Sequence, residues 1–184
     1  FSAGSQVWVE HPHDAWVPGR VISVNEEGNF VVVTDDGERF IVPPGKSSQV
    51  HRSCLSGVED LLSLGDFTEG ALLHNIRVRY GKDMIYTAIG MPILISVNPY
   101  QNLPGLYDSK AIKKYRKAAG NANNSGAGSS TSSSSLSGSS LPPHLYSMAQ
   151  QAYQTLLRDR KAQSIIISGE SGAGKTEATK IILR

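Results

Sequence analysis

The stretch that decides the fold is SIIISGESGAGKTE, residues 164–177. It contains the pattern G-x-x-x-x-G-K-[ST], which runs from Gly169 to Thr176. The β-branched run 163–168 precedes this loop and predicts a buried parallel strand. Apolar residues at helical spacing follow it, over 178–183, and predict a helix. A strand, a glycine-rich loop and a helix in this order are the context of a phosphate-binding loop, so the chain is predicted to be α/β.

The residue types of the loop suit a polyphosphate. Successive backbone N–H groups can surround a dense negative charge only where no Cβ intervenes, and Gly169, Gly172 and Gly174 allow this. We predict that Lys175 reaches the β and γ phosphates and that the Thr176 hydroxyl is a Mg²⁺ ligand, so these two residues are the predicted catalytic pair. The predicted phosphate-loop contacts are Gly169, Glu170, Ser171, Gly172, Ala173, Gly174, Lys175, Thr176 and Glu177.

Composition bounds the other function classes. The chain has 184 residues, 39% of them hydrophobic, and a formal charge of +2, which fits one medium domain or two small ones. The basic residues are scattered except for one cluster, which we interpret as a solvated helix face rather than a nucleic-acid site. That cluster consists of Lys110, Lys113, Lys114, Arg116 and Lys117.

Cysteine content and hydropathy indicate the compartment. Cys54 is the single cysteine, which excludes an intrachain disulfide and favours a buried small apolar residue in a reducing compartment. No apolar run approaches the roughly 18 residues of a membrane helix, and residues 1–6 do not resemble a signal peptide. We therefore expect a soluble, cytoplasmic protein without a membrane span. Because the sequence starts at Phe1 and stops at Arg184 inside an apolar helical pattern, we also expect it to be an excerpt of a longer one.

Short β-rich runs occupy the first fifty residues. Turn residues separate them, and Asp35-Asp36-Gly37 is a strong hairpin signal because glycine accepts positive φ. A small antiparallel barrel over 1–50 is predicted, with Trp8 and Trp16 in its core rather than on a ligand platform. The predicted strands are 7–9, 16–24, 30–34 and 39–42.

Helical spacing begins at Gly57. We predict a helix around 58–62, a break at 64–66, and a second helix that Asp66 or Thr68 caps. Beyond these, the patterns predict strands at 85–89 and 93–97, a short helix at 109–118 and an amphipathic helix at 146–160. Residues 120–140 are almost wholly Ser, Gly, Asn, Ala and Thr, and they predict a disordered, flexible insertion.

Several segments resemble the myosin family. Residues 168–177 look like the phosphate loop of myosins, and 98–107, NPYQNLPGLY, is similar to the family's adenine-contacting loop. The barrel resembles the Src-homology-3-like module that many myosins carry. Further matching segments, in the same order as in the family, are 57–61, 73–76, 79–80, 85–87 and 142–146.

The resemblance implies a fold and a function. Residues 51–184 would be the N-terminal part of a motor ATPase domain that uses ATP and Mg²⁺ and moves along actin filaments of the cytoskeleton. Actin would bind through regions outside this chain, as would calmodulin-like light chains. The family's two switch loops lie downstream, so we expect this chain alone to be inactive. By resemblance, the residues that border the adenine are Asn98, Pro99, Tyr100 and Tyr107.

The sequence also departs from the family pattern. Tyr107 lies one residue further from Asn98-Pro99 than in many myosins, a spacing similar to plant-type and some protist classes. Gln101 stands where a basic residue is frequent. The Ser/Gly tract replaces a shorter, charged connection.

Two other functions remain open at this point. One is a phosphate-loop enzyme of another class, a kinase or a GTPase, and the other is a non-catalytic binding module built on the barrel. The segment 98–107 has a plainer interpretation as a strand-to-loop exit. The five histidines show no ligand spacing and are assigned no role; they are His11, His13, His51, His74 and His144.

Overall fold

The structure is a computed structural model that describes residues 1–124 and 141–184. It divides into two compact units, Phe1–Lys82 and Asp83–Arg184. The Ser/Gly insertion was predicted over 120–140, and its residues 125–140 lie outside the described residues.

The first unit contains a four-stranded antiparallel sheet of order β1-β2-β3-β4. The strands are β1 Gln6–His11, β2 Ala15–Val24, β3 Phe30–Thr34 and β4 Arg39–Val42, which confirms the four predicted strands. The chain after β4 then returns to β1. The Trp8 amide donates to the Ser48 carbonyl at 2.8 Å, and the Val50 amide donates to the Gln6 carbonyl at 2.9 Å. The sheet is therefore curled on itself, consistent with the predicted small barrel.

The two faces of β1 bury different sets of side chains, because successive residues of a strand point to opposite sides. Val7 and Val9 enter the barrel core, together with Val21, Phe30, Val32 and Val42. Trp8 points the other way and packs with Val50, Cys54 and Ala71, while Trp16 packs partly buried against that cluster. Trp8 and Cys54 are fully buried as predicted, but the predicted place of Trp8 in the barrel core is wrong, because its side chain lies on the opposite face of β1.

Helix α1, Glu69–Tyr80, begins at Thr68, whose hydroxyl accepts the Ala71 amide at 3.3 Å. This confirms Thr68 as the cap. The helix predicted around 58–62 is wrong, since only a 3-10 turn, Leu61–Ser63, forms there. Its hydrogen bonds are replaced by tertiary ones: the Asn75 side chain accepts the Val58 amide at 2.7 Å and donates to the Val58 carbonyl at 3.1 Å.

The described residues of the second unit, 83–124 and 141–184, form a two-stranded antiparallel sheet and three helices. The strands are β5 Tyr86–Ala88 and β6 Leu94–Ser96, and the helices are α2 Ser109–Asn124, α3 Leu145–Asp159 and α4 Lys175–Ile182. The predicted strand pair and the helices α3 and α4 are confirmed. The predicted end of α2 is wrong by six residues, since the helix continues to Asn124, into the predicted loop. In the part of the chain that the structure describes, no helix is long and apolar enough to cross a membrane.

The strand predicted over 163–168 is absent. This segment has no regular structure, and Ile166 is 89% exposed. A strand has no hydrogen bonds of its own and needs a neighbour to satisfy its N–H and C=O groups. Among residues 83–124 and 141–184, no strand pairs with this segment. The prediction of a buried parallel strand is therefore wrong for the chain as it stands.

Candidate functional site

The loop before α4 has positive φ angles at its three glycines. Gly169 has φ of 155°, Gly172 has φ of 80° and Gly174 has φ of 87°. At Gly172 and Gly174 the chain is left-handed, which a residue with a Cβ adopts only at a cost. Gly174 is also the N-terminal cap of α4 and supplies no side chain. The first amides of α4 have no intrahelical acceptor, so their positive dipole end is open toward the loop.

Lys175 lies at the first position of α4, and its side chain folds back onto the loop. Its Nζ donates to the carbonyl oxygens of Gly169 and Glu170, each at 2.8 Å. A cation is thus held against the loop backbone, beside the open amides of the helix. This combination of fixed positive charge and free N–H groups is the chemistry that binds phosphate.

The next two residues of α4 are exposed. Thr176 lies one position after the lysine, with its hydroxyl accessible to a ligand at the helix N-terminus. Glu177 forms an exposed ion pair with Lys180 at 2.7 Å. No group of three or more His, Cys, Asp or Glu side chains that could hold a metal occurs within the described residues.

Asn98 brings the predicted adenine loop against the phosphate loop. Its Nδ2 donates to the Gly172 carbonyl at 2.7 Å, and its Oδ1 accepts the Tyr100 amide at 3.0 Å. Tyr100 has a positive φ of 51° and is 81% exposed. A Cβ added at Gly172 would lie 3.6 Å from the Tyr100 hydroxyl, so the two loops are close neighbours. The sequence separates them by more than seventy residues.

A small pocket joins six of the thirteen predicted site residues, without Lys175, Thr176 or Tyr100. Asn98, Pro99 and Tyr107 line it from one side, and Gly174 and Glu177 line it from the other. A larger cavity of about 630 Å³ opens nearby, lined by the 163–168 segment, α3, β6 and Lys175. Its size falls in the range of small-molecule sites, about 300–1,000 Å³.

Tyr107 is half-buried in an aromatic cluster. Its hydroxyl forms a 2.6 Å hydrogen bond with the Tyr86 hydroxyl, and its carbonyl accepts the Tyr146 hydroxyl at 3.3 Å. Burial raises the pKa of Tyr107 and of Tyr86 above the usual value for tyrosine, so both hydroxyls stay protonated. The ring of Tyr107 is therefore fixed at its hydroxyl end and its edge borders the pocket.

His144 is a buried helix cap that the sequence pattern did not predict. It is 2% exposed; its Nδ1 accepts the Tyr146 amide at 2.9 Å and its Nε2–H donates to the Leu106 carbonyl at 3.1 Å. Burial lowers the pKa of His144 to about 4, so the ring is neutral. His51 likewise caps a turn, since its Nδ1 accepts the Ser53 amide at 3.3 Å, and the prediction that the histidines hold no ligand stays a prediction. The available signal was the position of His144, directly before a confidently patterned helix, where caps occur.

Comparison with known proteins places both parts of the chain in one family. The family model described as the myosin head (motor domain) matches residues 58–184. The model described as the myosin N-terminal SH3-like domain matches residues 1–50. The chain belongs to the myosin family. The resemblance and the predicted fold class, an SH3-like barrel followed by the start of a motor domain, are thereby confirmed.

Curated relatives agree with the family match. Myosin-3 of Arabidopsis thaliana is 37% identical over 97% of this chain, Myosin-VIIa of Drosophila melanogaster 38% over 98%, and unconventional myosin-VI of Homo sapiens 37% over 98%. The chain covers 14%, 8% and 13% of these relatives respectively. It therefore spans a small N-terminal share of what a myosin of these kinds contains.

Proposed function

We propose that this chain carries the ATP phosphate-binding segment of an actin-based motor. The observation that supports this most directly is the Lys175 ammonium, held at 2.8 Å from two loop carbonyls at the open N-terminus of α4. The membership of the myosin family supports the motor class. We further propose that residues 1–50 form an SH3-like domain and that 51–184 begin the motor ATPase domain.

The residues present fit a magnesium-bound triphosphate. Lys175 would exchange its two carbonyl partners for β- and γ-phosphate oxygens, which are stronger acceptors because they are charged. The Thr176 hydroxyl would be one Mg²⁺ ligand, and the amides of 169–176 would surround the phosphates. Asn98, Pro99, Tyr100 and Tyr107 would border the adenine. ATP supplies the phosphoryl group that is transferred to water, and this chain's residues bind and orient its phosphates.

The same proposal assigns ATP hydrolysis, actin binding and light-chain binding to parts of the protein outside this chain. In myosins the loops that orient the attacking water lie downstream of the phosphate loop, so we expect this chain alone not to hydrolyse ATP. We propose that actin filaments and calmodulin-like light chains bind outside it, and that the protein acts on the cytoskeleton in the cytoplasm.

The Lys175→Ala substitution tests the proposal in the full-length protein. We expect ATP turnover to fall by at least about 100-fold, the scale seen when one charge-stabilising group of an active site is removed. Lys180→Ala is the matched control, because it removes an exposed lysine of the same helix that pairs with Glu177. Turnover that persists in Lys175→Ala would contradict a catalytic phosphate loop.

The remaining function classes give different results in the same preparation. A GTPase would be inhibited by guanine nucleotides in preference to adenine nucleotides, and a kinase would transfer phosphate to a small acceptor. A non-catalytic binding module would keep all its partner binding after Lys175→Ala and would show no ATP turnover before it.

A further inference from the structure

His144 connects two segments that are distant in sequence. One ring nitrogen caps α3 through the Tyr146 amide, and the other donates to the carbonyl of Leu106, 38 residues earlier. The Leu106 carbonyl belongs to the peptide bond that leads directly into Tyr107. The histidine therefore fixes the backbone immediately before the tyrosine that lines the small pocket.

Four tyrosine rings surround the imidazole. The ring centroids of Tyr86, Tyr115 and Tyr146 lie 4.9, 4.9 and 4.6 Å from it, and that of Tyr107 lies 5.7 Å away. Tyr115 stacks nearly parallel, at 27°. The imidazole thus packs β5, α2, α3 and the loop before α2 around one polar centre, in which both of its nitrogens are satisfied.

Both ends of Tyr107 depend on this cluster. The hydroxyl is bonded to Tyr86, and the backbone is held at the Leu106 carbonyl by His144 and at its own carbonyl by Tyr146. A loop has few internal hydrogen bonds to fix a side chain, so these outside contacts set the direction of the ring. His144 itself is 2% exposed and does not line the pocket that Tyr107 borders, so it acts through Tyr107 rather than by touching a ligand.

We propose that His144 is a positioning residue for recognition of the nucleotide base, an inference that rests on the proposed function. By holding the Leu106 carbonyl it fixes Tyr107, which under the proposed function borders the base. The phosphate loop does not depend on this bond, because its contacts run through Asn98, Lys175 and the loop glycines. Loss of His144 should therefore affect the base and leave the phosphates bound as before.

The test compares ATP with inorganic tripolyphosphate, which has the phosphates but no base. The variant is His144→Asn in the full-length protein, because asparagine retains an N-terminal cap for α3 but is too short to reach Leu106 as well. We expect ATP affinity to fall about tenfold and tripolyphosphate affinity to change less than twofold, a difference of about 1.4 kcal/mol in the base contribution alone. His51→Asn is the matched control, since His51 also caps a turn through Nδ1 but lies in the first unit.

Each outcome has one meaning. A wild-type protein that binds neither ATP nor tripolyphosphate would contradict the proposed function itself. Binding of both by the wild type, with His144→Asn weakening neither or weakening both equally, would overturn the positioning role and leave the proposed function intact. If His144→Asn weakens the binding of ATP but not that of tripolyphosphate, the result supports the positioning role.

Further variants keep the test decisive if His144→Asn does not fold. His144→Gln offers an amide with both a donor and an acceptor, and we expect it to restore most of the ATP affinity. Tyr107→Phe leaves His144 in place and removes the bond to Tyr86, and we expect a loss of about threefold for ATP and none for tripolyphosphate. An ATP affinity unchanged in Tyr107→Ala, which removes the ring itself, would overturn the inference, because the ring that His144 is proposed to position would then have no effect.

Discussion

At the scale of single residues, the described part of the second unit contains a buried polar side chain whose hydrogen-bonding groups are satisfied. This side chain is His144, whose neutral ring accepts from one backbone amide and donates to one backbone carbonyl. A protonated ring would present N–H groups to the Tyr146 amide, which is itself a donor. The buried position therefore requires the neutral form.

This requirement predicts a pH dependence of stability. The pKa of His144 is about 4 in the folded chain and near 6.5 when the residue is solvated. Above pH 6.5 both states are neutral and the contribution is fully present. As the pH falls from 6.5 to 4, His144 takes up a proton in the unfolded chain but not in the folded chain. The free energy of unfolding therefore falls by about 3 kcal/mol.

Urea denaturation at pH 7, 5.5 and 4.5 measures this loss. The groups packed around the ring are Tyr86, Tyr107, Tyr115 and Tyr146, and Asp108, Lys110 and Lys114 line the shallow pocket that His144 also borders. Burial also lowers the pKa of His74, which adds a loss of the same sign. The test is therefore the difference between the wild type and His144→Gln, and an identical pH profile for the two would refute the assignment.

At the scale of elements, the termini of the helices are fixed by specific caps. Thr68 begins α1 through the Ala71 amide, and the Asp66 carboxylate accepts the Thr68 hydroxyl at 3.2 Å. The preceding 58–62 segment has apolar residues at helical spacing as well, but Asp60 caps only a single turn there. The cap and the competing tertiary bonds, rather than the apolar spacing, decide which segment becomes a helix.

Removing the cap of α1 should destabilise the chain measurably. We expect Thr68→Ala to lower the free energy of unfolding by about 1 kcal/mol, because the Ala71 amide loses its acceptor. Thr68→Ser keeps the hydroxyl and should lose less than half of that amount. Urea denaturation measures both losses of stability. Equal losses in the two variants would show that the methyl packing of Thr68 matters more than its hydrogen bond.

Close approach of the elements also limits the choice of residue. Gly70 lies on α1 where it meets the ring of Trp8, and a Cβ there would be 2.9 Å from the indole. A helix interior normally disfavours glycine by about 1 kcal/mol relative to alanine. Here the ring leaves no space for alanine, so packing overrides the helix propensity.

At the scale of the whole molecule, the segment 163–168 has the composition of a strand but does not form one in this chain. Its composition is that of a buried strand, yet Ile166 is 89% exposed and no strand within the described residues pairs with it. The relatives are seven to twelve times longer than the stretch matched here, as the coverage of 14% to 8% shows. We propose that in a longer protein of this family, strands from other regions pair with 163–168.

This proposal is tested by one substitution in two lengths of protein. In the 184-residue chain, Ile166→Lys should change the free energy of unfolding by less than about 0.5 kcal/mol, since an exposed site loses no packing. In the full-length protein we expect a loss of at least about 2 kcal/mol, because a charge would enter a buried sheet. Ile181→Lys, at a residue 7% exposed in α4, should be costly in both. A neutral effect of Ile166→Lys in the long protein would contradict the added strands.

Much of the local structure and of the candidate site could be predicted from the sequence, because the signals are short-range. The four barrel strands follow from alternation and from turn glycines such as Gly37, whose φ is 88°. Glycine spacing predicts the turns of the predicted phosphate loop, because few residue types other than glycine adopt a left-handed backbone. The position before an apolar helical pattern predicts Asp66 or Thr68 as the cap of α1, and the structure selects Thr68.

The sequence by itself therefore determined the barrel, the glycine-permitted turns of the loop 169–174, and the membership of a family whose segments occur in this order. Only the tertiary structure decided that Asn98 holds Gly172, that His144 fixes the loop before Tyr107, and that 163–168 is no strand in this chain. The physical reason is distance along the chain. A turn or a helix cap is settled by neighbours within a few residues, whereas a buried histidine or a parallel strand depends on partners that no local pattern specifies.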